Sequence, residues 1–274
     1  MGDVVIVDAI RTPIGRRNGM FADVHPVDLL VPVLQQLVER NELDPNEIDD
    51  VITGCATATD EQGGNISRFA TLAAGLPVDI PAYSINRLCG SSQQAIHSAS
   101  QAILAKDADI VIACGVESMT RVPMGSDIGN FSNTLLNKHT IVPQGFSAEM
   151  IADKWELTRE ELDEFSYLSH QRAIEAIDEG YFEREVIPFE ISENKIVTVD
   201  EGVRRDTSVE KLSELQPSFQ PDTGVVTAGN SSQISDGAAG VLLMSASKAE
   251  ALGLKPRARI IARVEVGYDP VEML

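Results

Sequence analysis

The stretch Asn86-Arg87-Leu88-Cys89-Gly90-Ser91-Ser92-Gln93-Gln94-Ala95 decides how this chain is read, because it sets a cysteine where an apolar strand gives way to a helix of small residues. Upstream, Ala82-Tyr83-Ser84-Ile85 has the composition of a strand. Downstream, Ala95, Ile96, Ala99, Ala102, Ile103 and Leu104 recur at spacings of three and four, and Ser91, Ser92 and Gln93 supply polar first turns. Cys89 then stands at the amino-terminal end of a helix. Backbone N–H groups and the positive end of the helix dipole favour an anion there, and the thiolate is the reactive form of cysteine. Gly90 and the two serines leave room for a substrate carbonyl to reach the sulfur and for nearby amides to hold its developing charge. A buried structural thiol is the other role open to Cys89, since free cysteine is among the most buried residue types.

Working outward, Val4-Val5-Ile6-Val7 reads as a buried strand and Val27 to Val38 as a helix with Leu29, Leu30, Val33, Leu34 and Leu37 on one face. Asp44-Pro45 opens a turn, Asp50-Val51-Ile52-Thr53-Gly54 is a second strand, Ser67 to Ala74 a helix, and Ile110 to Gly115 a further strand. Strands alternating with helices imply parallel pairing in a layered α/β core. From Thr120 the pattern changes, with frequent Gly, Asn, Pro and charge and few apolar strands. One long helix is legible there, Arg159 to Gly180, with Leu162, Phe165, Leu168, Ala173 and Ile174 expected inward, Thr158 and Glu161 as a capping box and Gly180 at its carboxyl end. Ala238 to Met244 and Ala258 to Val266 read as two strands that rejoin the core, with Asp236-Gly237 as the turn leading in. The expectation is a discontinuous core of residues 1–119 and 226–274 with a cap over residues 120–225, since long excursions from a regular scaffold build binding surfaces.

The chain has 42 acidic against 22 basic residues, a formal charge of −20, which argues against nucleic acid or an anionic membrane as a partner. Its three cysteines, Cys55, Cys89 and Cys114, are too few for a disulfide framework, and a reducing cytoplasm fits. Cys55 and Cys114 follow apolar strands and read as core residues. The histidines, His25, His97, His139 and His170, are scattered without metal-type spacing, so no metal is expected. No signal peptide or membrane span is expected from the sequence.

The Cys89 stretch resembles the nucleophile motif of the thiolases, which join or split acyl groups on coenzyme A. Four other segments resemble that family in the same order: Ile10-Arg11-Thr12-Pro13-Ile14-Gly15, Gly115-Val116-Glu117-Ser118-Met119, Gln144-Gly145-Phe146-Ser147-Ala148-Glu149 and Thr227-Ala228-Gly229-Asn230-Ser231-Ser232. The resemblance implies a layered βαβαβαββ core with a loop domain over coenzyme A. It implies Cys89 as the acyl-carrying nucleophile and Glu117 as a structural residue. It also implies Arg204 near the adenine, Phe219 flanking the cofactor, Ala228 and Ser232 along the pantetheine arm, and Leu135 and Ile234 as apolar wall. Acyl-CoA thioesters would enter as substrates with no permanently bound cofactor, and a homodimer or homotetramer is implied. Val142-Pro143-Gln144-Gly145 departs from the short-chain biosynthetic pattern and leans toward the degradative 3-oxoacyl type.

The cycle also needs bases, acids and oxyanion sites. The family supplies these from a Gly-His-Pro motif, an Asn-Glu-Ala-Phe segment and a second cysteine, none of which occurs in this sequence. The expectation is therefore an amino-terminal thiolase half, with the carboxyl-terminal half absent, that does not turn over alone. A non-catalytic CoA-binding or assembly module and a cysteine hydrolase are the competing classes.

Overall fold

The computed structural model describes residues 3–274. They form two units, one built from residues through Ile128 with Phe182–Gly202 and Ile234–Arg263, the other from Gly129–Tyr181, Val203–Gln233 and Val264–Leu274.

The first unit is centred on a mixed sheet. Its strands are β1 (Val4–Arg11), β2 (Gly15–Arg16), β3 (Asp50–Gly54), β4 (Ala82–Ile85) and β5 (Ile110–Ser118), with a separate hairpin of β6 (Phe189–Ser192) and β7 (Lys195–Val197), then β8 (Ser235–Ser245) and β9 (Ala258–Arg259). The sheet order is β4-β3-β5-β8-β1-β9, with β2 also on β8. Pairing of β3 with β4 and β5 is parallel, as the alternation predicts, but β8 runs antiparallel to both β1 and β5. The chain reaches β8 from β5 through the long excursion of residues 119–234 rather than through one short helical crossover, and a connection of that length can return it in either direction.

Helices α1 (Pro26–Arg40) and α2 (Ile66–Ala73) cover one face of the sheet and α3 (Ser91–Ala105) the other. Period-two alternation sorts the strand side chains between them. Ile110, Ile112, Cys114 and Val116 of β5 join Leu30, Val33, Leu34 and Leu37 of α1, while Val111 and Ala113 join Ala95, Ala99 and Ile103 of α3. In β1, Val5, Val7 and Ile10 share the α1 face although their spacing breaks parity; the register shifts between Ile6 and Asp8, and this bulge restores the face.

The second strand expected near the end, residues 258–266, is only Ala258–Arg259. Ile260 N–H still donates to Val4 O at 3.0 Å, but Ile261 and Val266 beyond it are 84% and 82% exposed.

The second unit contains α4 (Asn133–Leu136), α5 (Gln144–Lys154), α6 (Arg159–Asp178) and α7 (Val209–Ser213). The capping box of Thr158 and Glu161 is present, and Gly180 takes the left-handed φ of +71° that suits a helix terminus. The inward face of α6 follows the expectation in part: Leu162, Ala173 and Ile174 are half-buried, but Phe165 is 69% exposed and Leu168 41%, whereas Asp163 is fully buried. Its carboxylate accepts from Arg159 Nε at 2.7 Å and Asn230 Nδ2 at 3.2 Å. A polar anchor accompanies a shortened apolar stripe. Asp163→Asn, which keeps the shape but loses the charge, should destabilise this unit by about 1.5 kcal/mol, the scale of a hydrogen bond to a charged group. Faster amide exchange along α6 is the measurement; unchanged exchange would count against the anchor.

The units also differ from a single cap over 120–225. Residues 182–202 belong with the sheet, where Arg11 N–H donates to Glu185 O at 2.8 Å and Ile187 N–H to Arg11 O at 2.9 Å. Residues 264–274 belong with the helical unit, where Lys154 Nζ meets both carboxylate oxygens of Glu272 at 2.7 and 2.9 Å. No helix among the described residues is long and apolar enough to cross a membrane.

Candidate active site

The turn between β4 and α3 is built by its own side chains. Asn86 Oδ1 accepts from Leu88 N–H at 2.8 Å, and Asn86 Nδ2 donates to Ala56 O at 2.8 Å, tying the turn to the loop after β3. Ser91 Oγ accepts from Arg87 N–H at 2.9 Å and donates to Leu88 O. Leu88 is held at φ +47°, a left-handed conformation that costs a side-chain-bearing residue about 1–3 kcal/mol. Nothing in the composition of the stretch announces it. The consequence is that the chain reverses just before Cys89, which emerges exposed at the start of α3, while Cys55 and Cys114 are buried.

Two glycines let the helix start sit where it does. A Cβ on Gly54 would lie 2.3 Å from the backbone of Ser91 and Ser92, and one on Gly115 would lie 1.9 Å from Ser92 Oγ. The end of β3 at Gly54 therefore meets the first turn of α3 at backbone contact, and β5 at Gly115 meets the Ser92 side chain. Around Cys89 they leave a cleft of about 330 Å³, lined also by Ser91, Ser92 and Glu117.

Glu117 fits its structural assignment. Its carboxylate accepts from Ala56 N–H at 2.8 Å, Thr57 N–H at 3.1 Å and Gln62 Nε2 at 2.8 Å, so its oxygens are occupied in bracing the loop that Asn86 grips. Asp236, expected in a turn, is instead inside β8 and fully buried, accepting from Thr120 N–H at 2.9 Å and Thr120 Oγ1 at 2.6 Å. Strand pairing with β5 continues through it, which removes the turn. Burial, then the nearby Glu117 charge, pushes the Cys55 thiol up to about 12, and burial raises that of Cys114 as well.

Of the residues expected to meet coenzyme A, the structure brings Arg204 and Ala228 to one cleft of about 290 Å³ in the helical unit, together with His170, Asp206, Thr207 and Lys211. Arg205 is taken by Asp178 at 2.6 and 3.0 Å and does not line it. Phe219 packs edge-on to Phe146, with centroids 5.9 Å apart, directly over Gly145, where an added Cβ would lie 2.0 Å from its ring. Ser232 is exposed, Leu135 lies on α4 at 36% exposure, and Ile234 belongs to the sheet unit, where its carbonyl accepts from Arg17 N–H at 3.0 Å. His170 also lines this cleft, a position that a lone histidine on a helix does not signal in the sequence.

The family model described as "Thiolase, N-terminal domain" matches residues 4–247. This chain belongs to the thiolase family. The 3-ketoacyl-CoA thiolase of Marinobacter nauticus is 44% identical to this thiolase over 280 residues, an alignment covering 99% of the chain and 71% of the relative. The steroid 3-ketoacyl-CoA thiolase of Mycobacterium tuberculosis is 42% identical over 287 residues, covering 100% and 70%. Among solved structures, the Bacillus anthracis acetyl-CoA acetyltransferase superposes with a TM-score of 0.89 at 39% identity, covering 99% of this thiolase chain and 73% of that one.

Proposed function

We propose that this thiolase chain supplies the acyl-carrying nucleophile, Cys89, and a coenzyme A cleft to an acyl-CoA acyltransferase. In the thiolytic direction Cys89 Sγ, as thiolate, adds to the 3-oxo carbon of a 3-oxoacyl-CoA. The bond between carbons 2 and 3 breaks, its electron pair leaves on the acetyl-CoA enolate, and that enolate takes up a proton. The acyl group, now a thioester on Cys89, passes to the thiol of a second coenzyme A, which gives up its proton. Claisen condensation of two acetyl-CoA molecules is the same sequence reversed. The observation that carries the reading is an exposed cysteine at a helix start, set in a cleft whose close approaches at Gly54 and Gly115 no larger residue would allow. The 3-ketoacyl-CoA thiolase names of the relatives support the 3-oxoacyl direction that Val142-Pro143-Gln144-Gly145 favours.

Acylation and turnover separate in this chain. No histidine lines the Cys89 cleft among the described residues, and His97 is buried on α3 about 12 Å along the helix from Cys89 at the standard rise. The 274-residue chain given acetoacetyl-CoA and CoA should therefore show no turnover above a Cys89→Ala control. Intact-mass measurement should show slow formation of one acyl adduct that Cys89→Ala lacks. Robust turnover by the chain alone would overturn the need for a base from outside it; an adduct persisting in Cys89→Ala would overturn the nucleophile.

A further inference from the structure

The helical-unit cleft contains a histidine that the reaction above does not use. His170 Nδ1 accepts the backbone N–H of Arg204 at 3.2 Å. Arg204 opens a turn that closes with Thr207 N–H on Arg204 O at 3.5 Å and runs into α7, where Ser208 Oγ caps Lys211 N–H at 3.3 Å. One residue on, Arg205 is clamped to Asp178 near the end of α6. The turn is thus held by α6 at two adjacent residues, and Arg204, gripped at its backbone N–H, lines the cleft.

We propose that His170 is a positioning residue for Arg204, holding the turn through an acceptor nitrogen that exists only in the neutral imidazole, so that protonation releases Arg204 and weakens coenzyme A binding. This rests on the assignment of the cleft to coenzyme A. A protonated ring has no acceptor, and it would add a positive charge beside Arg204. The charged groups facing His170 are Arg204 and Asp206 from the turn and Lys211 from α7; Lys211 is itself drawn to Asp206, bonding its carbonyl and lying 3.5 Å from its carboxylate. On α6 the residues three and four positions away, Ser166, Tyr167, Ala173 and Ile174, bring no carboxylate. The 228–233 side of the cleft, Ala228, Gly229, Ser231 and Gln233, is uncharged.

Burial, then Arg204, lowers the His170 pKa from its usual 6.5. A histidine depressed in the folded state binds fewer protons there than when unfolded. Its contribution is therefore fully present above about 6.5 and lost as pH falls below that value through the folded pKa.

The test uses the whole chain as wild type, His170→Asn and His170→Ala. Asn places a carbonyl oxygen near the Nδ1 position but cannot be protonated in this range; Ala removes the acceptor. Two readouts are taken between pH 7.5 and pH 5: the exchange protection of the Arg204 amide, and the Kd for CoA by calorimetry. Protection should fall with pH in wild type, stay level in His170→Asn and be low throughout in His170→Ala. The Kd of wild type should rise about fivefold more than that of His170→Asn, the scale of one hydrogen bond. Titration of the CoA phosphates is common to all three and cancels. Equal Arg204 protection in wild type and His170→Ala, or parallel pH dependence in wild type and His170→Asn, would overturn the proposal. If CoA binds none of the three while the protection pattern holds, the coenzyme A assignment fails and the positioning of Arg204 by His170 stands.

Discussion

Brief iodoacetamide treatment of the folded chain near pH 7.5 is expected to label Cys89 and leave Cys55 and Cys114 untouched. Cys89 is exposed and the other two are buried. The ionisation adds to the steric effect. With its thiol pushed up to about 12, Cys55 holds on the order of 10³-fold less thiolate near neutral pH than an ordinary thiol with a pKa of about 8.5. Cys114, raised by burial, is further from reacting. Peptide mapping after a short pulse should give one modified cysteine, and Cys89→Ala should give none until denaturant exposes the other two. Prior incubation with a saturating acyl-CoA should slow the labelling. Comparable labelling of Cys55 in the folded state would contradict the placement of these thiols and remove the basis for singling out Cys89.

The second large effect is expected at a residue with no side chain. Gly54→Ala forces a Cβ to 2.3 Å from the backbone of Ser91 and Ser92, where no flexible side chain can move aside. Either β3 or the first turn of α3 must shift, at a cost of about 3 kcal/mol, the upper part of the range for overpacking a well-packed core. Cys89 rides on that turn, so its alkylation rate should fall together with the urea midpoint. Gly129→Ala is the matched control, since an added Cβ there meets nothing within 4 Å, and its effect should stay within about 0.5 kcal/mol. A Gly54→Ala chain with unchanged midpoint and unchanged Cys89 reactivity would show that the close approach does not set the nucleophile.

Much of the layered core was legible because its signals are local. The three- and four-residue spacing of Leu30, Val33, Leu34 and Leu37 marks a buried helix face whatever it packs against, and these residues are fully buried. The unbroken apolar run from Ile110 to Val116 likewise marks a strand buried on both faces. The same rules misread α6. Phe165 and Leu168 have the spacing of an inward stripe, but they are exposed, while Asp163 is fully buried with partners Arg159 and Asn230 four and 67 positions away. Only the first of those distances is visible in a local window.

The candidate site divides along the same line. By itself the amino-acid sequence determined that Cys89 stands between a strand and a small-residue helix, that Glu117 and the coenzyme A candidates follow in thiolase order, and that the core is layered α/β, because each of these is carried by neighbours within a few residues or by ordered motifs. Tertiary structure alone decided that β8 runs antiparallel into the sheet, that Gly54 and Gly115 are contact points for α3, that Leu88 takes a left-handed turn to present the thiol, and that His170 reaches Arg204. Apart from the Leu88 turn, which its near neighbours Asn86 and Ser91 hold, each of these depends on backbone brought together across tens of residues. Periodicity reports which side of an element is apolar, but not which other segment will come to lie against it.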